Sequence, residues 1–198
     1  LIKNANEKSL KKYKNTAPSS FLPSLKKFAI AIFCMLVNLT ISASYPIAVL
    51  SNETWLASRP AYLSFLIASI TLIGERFKYF FAWKLAEASC IAAGFGFDGW
   101  TTNKSNDLIP KGWNGVSNVD ILRFEFATTS QQVSKSWNQR TAGWLERYTY
   151  FRVPKSMGRG LALVFTYFIS ALWHGLYPGY FFFFWGAALM QYCEGLIR

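Results

Sequence analysis

The chain has 198 residues, of which 52% are hydrophobic and 16% charged, whereas a soluble domain carries about a quarter charged residues; this excludes a large soluble core and points to an integral membrane protein. The net charge of +11 would suit a nucleic-acid surface only if basic residues shared one face with stacking aromatics. Instead Lys11, Lys12, Lys14, Lys26 and Lys27 flank an apolar run, as basic residues do beside membrane spans, so no nucleic-acid partner is expected.

Residues 1–27 are polar and basic, with Pro18 and Pro23, and read as a cytosolic loop or connector. The chain opens without methionine and without a signal-peptide pattern, and is read as an internal piece of a longer protein. Phe28 to Leu50 contain no charge, and a helix of that length rises roughly 30 Å, the thickness of the bilayer's hydrocarbon core. Residues 51–59 form a polar connector with a glycosylation sequon at Asn52-Glu53-Thr54. A second apolar run, Ala61 to Ile73, gives way to Glu75, Arg76 and Lys78 and then to Tyr79, Phe80, Phe81 and Trp83. This mixture of bases and aromatics belongs to the membrane boundary. Residues 84–97 continue as a partly inserted helix that bends at Gly94-Phe95-Gly96-Phe97. Residues 28–97 are thus expected to be transmembrane and interfacial helices.

Residues 98–159 are the polar half, with turns marked by Asn103, Asn106, Pro110, Gly112, Asn114 and Gly115. Trp137, Thr141, Trp144, Leu145 and Tyr148 recur at helical spacing, which predicts one amphipathic helix over about 130–150, lying at the interface. Residues 161–193 are too long an apolar stretch for one span, and Pro178-Gly179 divides the region 160–198 into a helical hairpin. Two crossings between the basic stretches 1–27 and 98–159 place both in the cytosol. A second sequon, Asn103-Lys104-Ser105, would then stay unmodified.

His174, the chain's one histidine, lies in this last apolar region. An ionisable residue at membrane depth usually lines a polar cavity and works there, and imidazole moves protons near neutral pH. Packing between helices is the plainer alternative. No second histidine, carboxylate or cysteine pair stands near it, so no metal is expected. Ser170 lies one turn before it, but no acid completes a triad. Asn138, at the edge of the apolar stripe, has an amide that can donate to a developing oxyanion, or else simply faces solvent. Glu87 sits in an apolar stretch with Lys84 three residues earlier, which predicts a buried ion pair. Arg76 and Lys78 are suited to an anionic head group or phosphate. Cys34, Cys90 and Cys193 lack metal spacing and read as small buried thiols.

Several strings in order resemble a known family. They are Arg76-x-Lys78-Tyr79-Phe80-x-x-Trp83 with Glu87-Ala88; Gly94-x-Gly96-Phe97; and Trp113-Asn114-Gly115-Val116-x-Asn118. Trp137-Asn138-x-x-Thr141-x-x-Trp144-Leu145 and Ser170-Ala171-x-Trp173-His174-Gly175-x-x-Pro178-Gly179-Tyr180 follow. Over roughly residues 70–195 the chain resembles the membrane-bound O-acyltransferases, in particular their lysophospholipid acyltransferase branch. The resemblance implies an all-α, polytopic transmembrane fold, of which this chain lacks the N-terminal helices, and residence in the endoplasmic reticulum membrane. It implies transfer of a fatty acyl chain from acyl-CoA, a co-substrate and not a bound cofactor, to the free hydroxyl of a lysophospholipid. His174 matches the family's proposed general base and Asn138 its partner. Trp137, Thr141, Trp173, Tyr177, Arg76 and Lys78 are the candidate substrate-binding residues. Phe80 stands where the family often has tyrosine. The alternatives are transfer to a protein, sterol or diacylglycerol, or a non-catalytic transporter or scaffold that uses His174 for packing or proton relay.

Overall fold

The computed structural model describes residues 16–105 and 107–197. The expected connector therefore lies outside the described residues up to position 15, as does the turn residue Asn106. The described residues are mostly helical and fall into two compact units that meet in sequence between Ser117 and Asn118.

In the first unit α1 runs Phe21–Ser44, followed by a 3₁₀ turn at Ile47–Ser51, the short α2 at Glu53–Ala57, and α3 at Ala61–Ala92. The expected span of 28–50 is displaced toward the N-terminus, for two reasons. Pro23 falls in the first turn, where its missing N–H costs no hydrogen bond. At the other end Pro46 disfavours helical backbone in the residue before it, and Tyr45 leaves the helix at φ −134° and ψ 70°. Among the described residues α1 alone is long and apolar enough to cross a membrane. The 32-residue α3 carries Glu75, Arg76, Lys78, Lys84 and Glu87 along its length.

α1 and α3 pack antiparallel. Ser24 Oγ donates to the Ala88 carbonyl at 2.9 Å, and Asn38 Nδ2 to the Gly74 carbonyl at 2.9 Å. A methyl at Gly74 would meet Ile41 Cγ2 at 2.7 Å, so the small residue sets the helix separation. Ala31, Cys34, Phe80, Ala88 and Ile91 are buried along this seam. The charges of α3 do not break it. Glu87 is 2% exposed and accepts from Lys84 Nζ at 2.8 and 2.9 Å and from Lys27 Nζ, on α1, at 2.8 Å. The pair expected within one helix is thus a triad joining two.

α3 ends where the Gly94-Phe95-Gly96-Phe97 string expects a bend. Gly94 takes φ 86°, its N–H bonds the Ile91 carbonyl, and the Phe95 N–H reaches back to Cys90, which satisfies the last turn in a Schellman arrangement. The chain then forms a β-hairpin, β1 (Trp100–Thr102) antiparallel to β2 (Leu108–Pro110), with Thr101 opposite Ile109. This corrects the all-α expectation locally. Asn103 Oδ1 takes the N–H groups of Ser105 and Asp107 and closes the hairpin turn. Two of the family strings meet beneath it. The Gly115 N–H bonds the Gly96 carbonyl at 3.0 Å, and Asp98 Oδ2 accepts from the Asn114 backbone and side chain. Phe97 packs on Trp100 and Trp113.

The second unit holds α4 (Ile121–Glu125), α5 (Ser130–Ser136), α6 (Gln139–Tyr148), two 3₁₀ turns, α7 (Gly158–His174) and α8 (Pro178–Ile197). The single amphipathic helix expected over 130–150 is two helices broken at Trp137-Asn138. Asn138 adopts left-handed backbone, φ 44° and ψ 51°, a conformation asparagine tolerates better than most residues but which no helix continues through. α7 and α8 are antiparallel neighbours. Gly175 ends α7 at φ 119°, and Pro178 opens α8, at the position where proline's fixed φ suits a helix start.

α5 is tied to this hairpin by side chains. Tyr167 Oη, on α7, lies 3.2 Å from Ser134 Oγ, and Gln191, on α8, donates to both Ser134 Oγ and, at 2.6 Å, Tyr167 Oη. Glu194 accepts from Ser130 Oγ and from the Gln131 N–H at 3.2 Å. Outside these contacts α8 is strongly apolar and open: Phe182, Phe183, Leu189 and Met190 are all more than 60% exposed. Phe33 and Leu36 of α1 are similarly bare. Water does not favour so much continuous apolar surface.

Candidate active site

His174 occupies the last position of α7, where Gly175 stops the helix and leaves the ring at its end. The imidazole is exposed and enclosed on its sides by aromatic rings. Phe184, on α8, lies with its centroid 5.0 Å away at 34°, Tyr180 at 5.6 Å, and Trp173 edge-on at 5.5 Å. Tyr177 extends this wall through Tyr180, at 6.1 Å. Among the described residues neither ring nitrogen of His174 has a hydrogen-bond partner. Ser170, one turn earlier, is buried in α7.

Asn138 sits at the break between α5 and α6, and Asn118 holds it there. The Asn118 carbonyl accepts the Gln139 N–H at 2.7 Å, its Oδ1 accepts the Arg140 N–H at 2.9 Å, and its Nδ2 donates to Asn138 Oδ1 at 3.1 Å. The start of α6 is therefore capped by a residue twenty positions away. The Asp120 N–H bonds the Ser136 carbonyl at 3.0 Å and keeps the two segments side by side. Trp137 stacks on Phe124 at 4.9 Å, and Thr141 is partly buried in the first turn of α6.

The structure thus gathers the sequence candidates into groups. Trp173, His174 and Tyr177 share the α7–α8 junction; Trp137, Asn138 and Thr141 share the α5–α6 junction. No hydrogen bond or ring contact joins His174 to Asn138 among the described residues. Arg76 and Lys78 belong to the first unit, where Lys78 pairs with Glu75 and lies 5.7 Å from the Tyr79 ring centroid. Phe80 is fully buried against Phe77 at 5.3 Å, a packing role in which a hydroxyl would have no use. Cys34 is buried as expected, but Cys90 and Cys193 are exposed on helix faces.

Sequence reasoning missed three features. Asn118 stood in a recognised string with no role assigned. Its signal was the side-chain amide itself, a good cap with no helix of its own to cap. Phe184 was one of four consecutive phenylalanines, and nothing in the sequence singled it out. Lys27 has the look of a flanking charge in the sequence, because the partner it meets lies sixty residues on.

The model of the membrane-bound O-acyltransferase family matches residues 3–198. The chain is 36% identical over 166 residues to mouse membrane-bound glycerophospholipid O-acyltransferase 1, covering 83% of this chain and 32% of that protein. It is 35% identical over 182 residues to Arabidopsis thaliana lysophospholipid acyltransferase 1, covering 89% of this chain and 38% of the relative. A Schizosaccharomyces pombe lysophospholipid acyltransferase is 33% identical over 180 residues, covering 90% of this chain and 34% of its own length. The chain thus spans about a third of the length of these relatives. With the family model matched over residues 3–198 and these relatives above 30% identity, this chain belongs to the membrane-bound O-acyltransferase family.

Proposed function

We propose that the protein containing this chain transfers a fatty acyl group from acyl-CoA to the free hydroxyl of a lysophospholipid. The observation that carries the reading is the exposed imidazole of His174, held by aromatic rings at the end of an apolar hairpin with both nitrogens open. The relatives named as lysophospholipid acyltransferases support the choice of acceptor.

The chemistry requires little else. A lipid hydroxyl is a weak nucleophile at neutral pH, and His174 takes its proton as the oxygen attacks the thioester carbonyl. A C–O bond forms, the C–S bond breaks, and the proton passes to the departing thiolate of coenzyme A. Asn138 donates to the carbonyl oxygen as negative charge builds on it. Trp137, Thr141, Trp173 and Tyr177 line the substrates' path, and Arg76 and Lys78 attract a phosphate.

The surrounding architecture follows the same reading. The protein is polytopic and resides in the endoplasmic reticulum, with residues 28–97 spanning and bordering the membrane. Residues 1–27 and 98–159 face the cytosol, where the basic second stretch favours the phosphates of coenzyme A, and the hairpin 160–198 carries His174 into the bilayer. The bare apolar faces of α1 and α8 support membrane residence. A sequon-occupancy assay tests the topology: a glycan on Asn103 would overturn it.

The decisive experiment is acyl transfer by the full-length protein, purified in detergent, from labelled oleoyl-CoA to a panel of lysophospholipids, diacylglycerol, a sterol and a peptide. His174→Ala is expected to abolish transfer to the lysophospholipids. Full turnover by that variant removes His174 from the mechanism, and preference for another acceptor replaces the substrate assignment.

A further inference from the structure

We propose that Asn118 is a positioning residue for this reaction: it turns the Asn138 carboxamide so that the oxygen faces Asn118 and the NH2 group faces away from it, which makes Asn138 a hydrogen-bond donor to the substrate. The inference rests on the reading of Asn138 as the group that meets the thioester oxygen.

The argument runs through two amides in series. The backbone N–H of Arg140 can only donate, so the Asn118 atom 2.9 Å from it is the oxygen. A carboxamide has one oxygen, and the NH2 of Asn118 is thereby directed at Asn138, 3.1 Å away. That contact in turn needs an acceptor, so Asn138 presents Oδ1 to Asn118 and turns Nδ2 away. Among the described residues nothing accepts from this Nδ2. One helix-start N–H therefore fixes the orientation of a side chain two links away. The backbone holds the same pose, because the left-handed conformation of Asn138 is bracketed by the Gln139–Asn118 and Asp120–Ser136 bonds. A residue serving only as a cap would need to satisfy Arg140 and no more.

Asn118→Asp separates the two roles. Either carboxylate oxygen still accepts from Arg140, and aspartate suits a helix N-terminus. It has no hydrogen to give Asn138, whose amide would rotate to donate to the carboxylate and turn its oxygen outward. In full-length protein assayed with oleoyl-CoA and lysophosphatidylcholine, Asn118→Asp is expected to lower kcat about 100-fold, the scale of losing one oxyanion donor. KM and the melting temperature should stay close to the parent's. In an Asn138→Ala background it should add nothing, since both changes remove one interaction.

Near-parental kcat in a folded Asn118→Asp protein would overturn the proposal, as would a further full-sized loss in the Asn138→Ala background. Asn118→Ser gives an independent reading, because one hydroxyl both accepts from Arg140 and donates to Asn138. Its kcat should exceed that of Asn118→Ala by about tenfold, or about 1.4 kcal/mol in the barrier; equal rates count against us. If Asn138→Ala itself turns over normally, the role of Asn138 fails, and this inference with it.

Discussion

The imidazole of His174 and the phenyl ring of Phe184 lie 5.0 Å apart, centroid to centroid, across the α7–α8 hairpin. The ring thus takes its orientation from the opposite helix. Aromatic pairs of this kind contribute about 0.5–1.5 kcal/mol beyond the area they bury. Phe184→Leu keeps the volume and loses the ring face, and should lower kcat about three- to tenfold on that scale. KM for acyl-CoA should change little, as steady-state transfer assays would show.

The Lys27–Glu87–Lys84 triad predicts an asymmetry in stability. Glu87→Gln leaves two ammonium groups beside a neutral amide in a buried setting, and should cost about 3–5 kcal/mol. Replacing Lys84 and Glu87 together by methionine removes one charge of each sign and should recover most of that loss. Thermal melting in detergent would compare the two, and equal destabilisation would argue against burial of the triad.

Gly115 and Gly96 approach so closely that a methyl on Gly115 would stand 2.9 Å from the Gly96 carbonyl oxygen. Backbone cannot swing aside as a side chain can. Gly115→Ala is expected to destabilise the loop below the β-hairpin by about 1–3 kcal/mol. Limited proteolysis should then cut first within residues 96–115.

The anchor of α5 predicts a graded pair. Tyr167→Phe removes one hydroxyl but leaves Gln191 bonded to Ser134, and should cost about 1 kcal/mol. Gln191→Leu strips both of its bonds and leaves two hydroxyls to find each other, and should cost more. A melting series that reverses this order would show that the network is not what holds α5.

Ser136 points the other way. Its hydroxyl is fully buried with no hydrogen-bond partner among the described residues, a situation that costs about 1–3 kcal/mol. Ser136→Ala should therefore leave the melting temperature unchanged or raise it.

Elements governed by local rules were legible in the sequence. Pro178 announced the start of α8, the Gly94–Phe97 string announced the end of α3, and the spacing of Lys84 and Glu87 announced their pairing. Elements decided by distant partners were not. The 137–148 stripe has helical periodicity, yet the helix breaks at Asn138, because the periodicity records which residues share a face and not the bracing that Asn118 supplies from outside. The β-hairpin escaped notice for a similar reason: three-residue strands carry too few positions for alternation to show. At the candidate site the chemical residues stood out by type, while the groups that orient them, Asn118 and Phe184, became visible only in three dimensions.

Because Glu87 binds a lysine from each helix, α1 and α3 bring two cations to one carboxylate when they meet. On the proposed topology, a ribosome releases α1 into the membrane well before α3 exists. Lys27 then waits near the cytosolic surface, and Glu87 arrives already coupled to Lys84, so that the second lysine joins the carboxylate by lateral pairing of the helices at that boundary. The two helices would enter as a hairpin in order of synthesis, with the triad latching them at the cytosolic end.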